Sequence, residues 1–146
     1  MAKKPRILFI SENGYCRAQM AEGFARYLAG SLVEVESTGT NGSTTTDPYC
    51  QWAMNEAGID LAVLAMEPLS RKDLSSYSHI VFLGEGEHDK LARIPSTAHT
   101  SRWELPDPAK VRAQPLDAIK AYRAIRNEVE RRVRKLLTEA LERQPS

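Results

Sequence analysis

The hydrophobic pattern divides the chain into alternating strand-like and helix-like stretches. Ile7-Leu8-Phe9-Ile10 is an unbroken apolar run of strand length, the composition of a strand buried on both faces, so a first strand is expected over about Arg6 to Ile10 in the middle of a parallel sheet. A polar turn containing Gly14 follows, and then Met20, Phe24, Tyr27 and Leu28 recur at helical spacing up to Gly30, which is placed to end that helix. Leu32 to Ser37 alternates as a second strand would. Thr38 to Asp47 is rich in Gly, Ser, Thr and Asn and reads as a long loop. Asp47 then caps a helix whose first turn holds Pro48 and which should end at Gly58, with Trp52 and Met54 on its buried face and Cys50 nearby.

Leu69 to Tyr77 reads as a short polar helix capped by Ser70 or Asp73. His79 to Leu83 is the third strand; a Gly84 to His88 turn leads to a short helix near Asp89 to Arg93, and Thr97 to Glu104 is a fourth strand carrying Trp103. From Pro115 onward Ile119, Tyr122, Ile125, Val129, Val133, Leu136, Leu137 and Leu141 recur at three and four, the packing stripe of one long helix. Its other face carries Lys120, Arg123, Arg126, Arg131, Arg132, Arg134, Lys135 and Arg143, partly offset by Glu128, Glu130, Glu139 and Glu142. That face is either solvated and laced with intrahelical ion pairs or a basic surface for docking a protein partner. Strands alternating with helices predict an α/β fold: a four-stranded parallel sheet joined by right-handed crossovers, flanked by helices on both faces. In such sheets ligands sit beyond the carboxyl ends of the strands. The stretch Ser11 to Arg17 and the segment after Trp103 both emerge there.

Composition narrows this picture. At 146 residues and 42% hydrophobic content the chain is the size of one domain, spanning 1–146, with a single sizeable core. A net charge of +1 gives no push toward nucleic acid, and no apolar run approaches the roughly 18 residues that suggest a membrane span. The basic Met1 to Arg6 start is followed by an apolar run too short for a signal-peptide core, so a cytoplasmic protein is expected. Two cysteines, Cys16 and Cys50, are too few for a disulfide framework, and cytosolic thiols are kept reduced. No cofactor or metal is implied.

The strand, turn and helix start at Ser11-Glu12-Asn13-Gly14-Tyr15-Cys16-Arg17 have the make-up of an anion cradle. Backbone N–H groups of the turn and the positive end of the helix dipole favour an oxyanion, and Arg17 adds a planar fork of donors. Ser11 and Arg17 stand six apart, the spacing of a Cys-x5-Arg loop, and are followed by Met20-Ala21-Glu22-Gly23-Phe24-Ala25-Arg26. In these residues the chain resembles the low-molecular-weight protein tyrosine phosphatases and the related thioredoxin-coupled arsenate reductases. The resemblance continues through Gly39 to Asp60 and Leu105-Pro106-Asp107-Pro108, and runs from about Arg6 to Leu141. It implies a flavodoxin-like three-layer sandwich of the phosphotyrosine phosphatase I type. It also implies a loop that takes phosphate, sulfate, arsenate or a phosphorylated side chain, with Ser11 at the nucleophile position, Arg17 on the oxyanion and Asp107 at the general-acid position. Read alone, Asp107 is more simply a helix cap ahead of Pro108; with the loop motif upstream, the acid position is favoured.

Three departures from the family pattern bear on chemistry. Position 11 is a serine rather than the cysteine whose thiolate attacks; a hydroxyl keeps its proton unless a base removes it. Of His79, His88 and His99 only His88 belongs on the same side of the sheet. Asn13-Gly14 reverses the usual Gly-Asn order, and Ala18 replaces a serine that hydrogen-bonds the thiolate. Cys16 does not substitute, because six-residue spacing from it reaches Glu22 instead of an arginine; it reads as a buried structural thiol, with a redox role as the alternative. The reductases' two relay cysteines have no counterpart in Gly84 to Arg93. Three readings stay open: an oxyanion-binding protein of phosphatase fold with little or no turnover, a phosphatase whose cysteine was exchanged for Ser11 to trap ligand, and a non-catalytic scaffold docking through its basic last helix.

Overall fold

The structure, a computed structural model, describes residues 4–11, 15–40, 47–64, 67–85, 95, 97–111 and 114–142. Four strands, β1 (Arg6–Ser11), β2 (Glu34–Gly39), β3 (His79–Gly84) and β4 (His99–Glu104), form one parallel sheet in the order β2-β1-β3-β4. Three α-helices accompany it: α1 (Cys16–Ala29), α2 (Pro48–Glu56) and α3 (Pro115–Glu142). The apolar run at Ile7 to Ile10 becomes β1 because a strand with two paired neighbours and two covered faces has no polar position to fill; each of those four residues is at most 1% exposed.

Alternation assigns the faces. Ile7, Phe9, Val81 and Leu83 join Met20, Phe24, Met54, Tyr122, Val129 and Val133 in the larger core cluster, beneath α1, α2 and α3. Leu8, Ile10, Ile80 and Phe82 point the other way and pack with Tyr77, Leu69 and Leu74. The cover on this second face, among the described residues, is two 3-10 turns, Leu69–Arg71 and Leu74–Ser76. The single polar helix expected over Leu69 to Tyr77 is therefore broken. Asp73 breaks it, since its carboxylate accepts hydrogen bonds from the backbone N–H and hydroxyl of Ser75 and so starts a new turn.

The helix limits follow their punctuation. Gly30 takes φ +54° immediately after α1, its N–H donating to the Arg26 carbonyl, a left-handed position that costs glycine nothing. Asp47 caps α2 by accepting from the Tyr49 N–H at 2.9 Å, with Pro48 in the first turn. Two apolar assignments need correction. The buried positions of α2 are Cys50, Ala53 and Met54, which turns Trp52 outward, where the Arg123 guanidinium lies 5.0 Å over its ring. Tyr27 is 71% exposed, because its angle about the α1 axis turns it away from the face on which Ala25 and Ala29 are buried. The strands also run later than expected, β2 reaching Gly39 and β4 beginning at His99. The short helix near Asp89 to Arg93 and the Gly84 to His88 turn beyond Glu85 fall outside the described residues.

Candidate functional site

Three segments meet at the carboxyl end of the sheet. Ser11 closes β1, fully buried and in register with Gly39 of β2 and Leu83 of β3. Its carbonyl accepts from the Thr40 N–H at 3.1 Å, so the strand stays paired up to the residue at which the turn begins. Arg17, in the first turn of α1, is 2% exposed, and its Nη1 donates to the Leu105 carbonyl at 2.7 Å. Leu105 in turn donates its N–H to the Gly84 carbonyl, just beyond the end of β4. The arginine at one end of the turn is thus fastened to the segment that carries Asp107, 88 residues later in the chain than Leu105's partner. Tyr15, at the N-cap of α1, makes no side-chain cap, which leaves the positive end of that helix directed at the turn. Glu12, Asn13 and Gly14 lie outside the described residues, and so does the reversed Asn-Gly order.

Asp107 is the N-cap of a 3-10 turn, Pro108–Lys110, its Oδ1 accepting from the Ala109 N–H at 3.0 Å. A cap engages one carboxylate oxygen, so the cap and the acid position are compatible at this residue. His79 and His99 stack on each other at 5.0 Å at the amino ends of β3 and β4. His79 is in register with Ile7, four residues before Ser11, which at strand rise is about 13 Å away along the sheet. Neither histidine serves Ser11 as a base; His88 lies outside the described residues. Ala18 is fully buried in the core, so no hydroxyl stands at that position. Glu22 faces away from the turn. It accepts from the Ser37 hydroxyl and Arg26 Nε, both at 2.6 Å, and burial raises its pKa against the lowering pull of those two donors.

The cysteines correct the sequence reading. Cys16, the first residue of α1, and Cys50, in the first turn of α2, form a disulfide across a Cα–Cα distance of 5.8 Å. A pair 34 residues apart has no signal in spacing; it exists because α1 and α2 start side by side at the same end of the sheet. With the pair bonded, the count of two cysteines says nothing about compartment. The α2 end of the bridge is fixed independently. Asp47 Oδ2 accepts a short hydrogen bond from the Tyr122 hydroxyl, Tyr49 stacks on the Tyr122 ring at 5.4 Å, and Arg126 donates to the Ala53 carbonyl at 3.0 Å.

The outer face of α3 is laced with ion pairs, within the helix and across to α2. Arg131 and Arg132 pair with Glu128, Arg134 pairs with Glu130, and Arg123 and Arg126 reach across to Glu56 of α2. Hydrogen bonds from Arg123 and Arg126 bring the Glu56 carboxyl down to about 2, and those from Arg131 and Arg132 do the same for Glu128. Arg143 lies outside the described residues. Among the described residues there is no cluster of metal-ligating side chains and no helix long and apolar enough to cross a membrane.

The model of the low molecular weight phosphotyrosine protein phosphatase family matches residues 6–146 of this chain. The chain belongs to that family. Within it, the curated relatives include an arsenate reductase of Shouchella clausii, 30% identical over 135 residues and covering 92% of this chain and 96% of the relative. The glutaredoxin arsenate reductase of a Synechocystis species is 28% identical over 137 residues, covering 90% and 95%. Among solved structures, an arsenate reductase in the oxidized state superposes with TM-score 0.77 at 27% identity, and one in the phosphate binding state with 0.76 at 26%. They cover 92% and 93% of this chain and 98% of each partner. A protein tyrosine phosphatase shares the fold at TM-score 0.74 and 21% identity, over 96% and 97% of the two chains. The four-stranded parallel sheet is the fold of this phosphatase family, as its loop residues imply.

Proposed function

We propose that this member of the phosphatase family holds a phosphate-like oxyanion in the Ser11–Arg17 loop and turns it over weakly or not at all. The observation that carries the reading is Arg17: a guanidinium 2% exposed, anchored to the Leu105 carbonyl, at the mouth of a buried strand end. A guanidinium is a planar fork of five donors whose geometry matches a phosphate-like oxyanion. The Ser11 hydroxyl is a poor nucleophile, since its proton leaves only to a base and the described histidines sit at the other end of the sheet. A neighbouring fold in the phosphate binding state is in keeping with phosphate as the chemistry of the ligand. The carboxylate-paired arginines of α3 speak against a scaffold that docks through that helix.

Calorimetry with inorganic phosphate tests this. The protein binds phosphate, Arg17→Lys binds at least tenfold more weakly because one ammonium cannot replace the fork, and neither hydrolyses an aryl phosphate. Ser11→Cys separates disabled from intact surroundings: family-like hydrolysis by that variant means a site still tuned for a thiolate and overturns the reading of a retired enzyme. No phosphate binding by the protein, with Arg17→Lys indistinguishable from it, removes the oxyanion role altogether.

A further inference from the structure

We infer that Cys16 and Cys50 are a thiol–disulfide site that sets the oxyanion affinity of the loop beside them. The inference rests on the oxyanion reading for what the site controls. Cys16 lies between Tyr15 and Arg17, both 2% exposed, at the point where the turn becomes α1. Its partner Cys50 is fully buried in α2. The two halves of the bridge differ in what lies beside them. On the Cys50 side, the Asp47 cap, the Tyr122 hydroxyl, the Arg126 bond to Ala53 and the Glu56 ion pairs keep α2 on α3 without help from sulfur. On the Cys16 side, the next residue is Arg17, whose guanidinium donates to the Leu105 carbonyl.

Breaking the bond therefore acts on the loop. A bonded pair of sulfurs about 2 Å apart becomes a non-bonded contact of roughly 3.5–4 Å. With Cys50 enclosed and α2 pinned, the added separation falls on Cys16 and on the peptide that joins it to Arg17. The Arg17 fork loses its fixed position, and affinity that came from its preorganisation goes with it. The bonded form is the tight-binding one.

Exposure also orders the chemistry. Cys16 is partly exposed and Cys50 is not, so exchange with a small-molecule disulfide begins at Cys16. Its thiolate attacks one sulfur of the small disulfide, forming a mixed disulfide and releasing one small thiolate. The Cys50 thiolate then attacks the Cys16 sulfur and expels the second. Two protein thiols and one small disulfide become one protein disulfide and two small thiols; two electrons pass to the small disulfide, and the two protons end on the released thiols. Excess small thiol runs the sequence backwards.

The test poises the full chain in glutathione buffers of defined ratio, counts alkylatable thiols by mass, and titrates each form with inorganic phosphate. No alkylation with tight phosphate binding at oxidising ratios, and two alkylated thiols with at least fivefold weaker binding at reducing ratios, is expected. Cys50→Ala, which keeps Cys16, should bind phosphate as weakly as the reduced protein at every ratio. Equal phosphate affinity in both forms overturns the coupling and leaves the oxyanion reading standing. Two alkylatable thiols at every ratio overturn the site itself. Phosphate bound by neither form, with Arg17→Lys unchanged from the parent, overturns the oxyanion reading and the coupling with it. Circular dichroism of the reduced protein and of Cys50→Ala shows that each is folded when phosphate is titrated.

Discussion

The hydrogen bond between Tyr122 and Asp47 joins the longest helix to the start of α2, and its energetic weight can be worked out group by group. Asp47 has two tasks, capping the Tyr49 N–H through Oδ1 and accepting from the Tyr122 hydroxyl through Oδ2. Asp47→Ala loses the cap, worth about 1 kcal/mol. It also removes the Asp47 acceptor from the hydroxyl of a residue that is 0% exposed, a further ~1–3 kcal/mol. Tyr122→Phe keeps the ring and its stack on Tyr49 and removes only a bond to a charged acceptor, roughly 1.5 kcal/mol, at the low end of such bonds because the half-exposed carboxylate turns to water. In the double variant the cap is still lost, but there is no hydroxyl to lose that acceptor. The two changes together should cost less than their sum by roughly 1–3 kcal/mol. Urea unfolding of the four proteins at neutral pH, by linear extrapolation with equal slopes, measures that coupling. Additivity within about 0.5 kcal/mol would mean that the short contact carries no stability of its own and that α2 is held on α3 by the stack and the ion pairs.

Three further outcomes are expected. The Tyr15 hydroxyl is buried with no hydrogen-bond partner among the described residues, so Tyr15→Phe should be neutral or stabilising by up to about 1 kcal/mol; a loss above that amount in thermal or urea unfolding would show that the hydroxyl is engaged. Glu56 and Glu128, held near 2 against an ordinary 4.5, stabilise the fold fully above pH 4.5 and lose that contribution as pH falls toward 2, because the unfolded chain takes up the protons first. The Glu56→Gln/Glu128→Gln protein should accordingly show a flatter fall in urea midpoint across that window, and parallel curves would rule the pairs out as its cause. A Cβ on Gly23 would lie 3.0 Å from Ile59 and 3.3 Å from Met54. Gly23→Val should therefore cost roughly 1–3 kcal/mol by overpacking, whereas Gly23→Ala, helped by helix propensity of ~1 kcal/mol, should stay near neutral; equal behaviour of the two would place the tight fit elsewhere.

Local pattern made the framework legible before any coordinates. An apolar run with a glycine-bearing turn and a helical repeat places Ser11, Arg17 and the start of α1 at one strand end, and Asp47-Pro48 reads as a cap because a cap is a contact between near neighbours. What joins those pieces is not local. Cys16–Cys50, Asp47–Tyr122 and Arg17–Leu105 are 34, 75 and 88 residues apart, and each depends on how two elements lie against each other, which periodicity leaves open. Trp52 and Tyr27 show a related limit: an aromatic at roughly the right spacing is drawn into the expected core, yet the angle about the helix axis decides its burial. Asp107 was ambiguous because a cap and an acid call for the same residue type in the same place.

The sheet ends at β4, and the chemistry of that strand governs how copies of the protein behave toward one another. His99, Thr100, Arg102 and Glu104 are exposed along it, with Trp103 turned inward. A strand edge is a template for another strand, and among the described residues this one carries charged side chains whose desolvation opposes pairing with a second molecule. Replacing Arg102 and Glu104 with valine would leave the fold its register and remove those charges. The outcome would be read in expression trials as insoluble protein, with no change in the core to account for it.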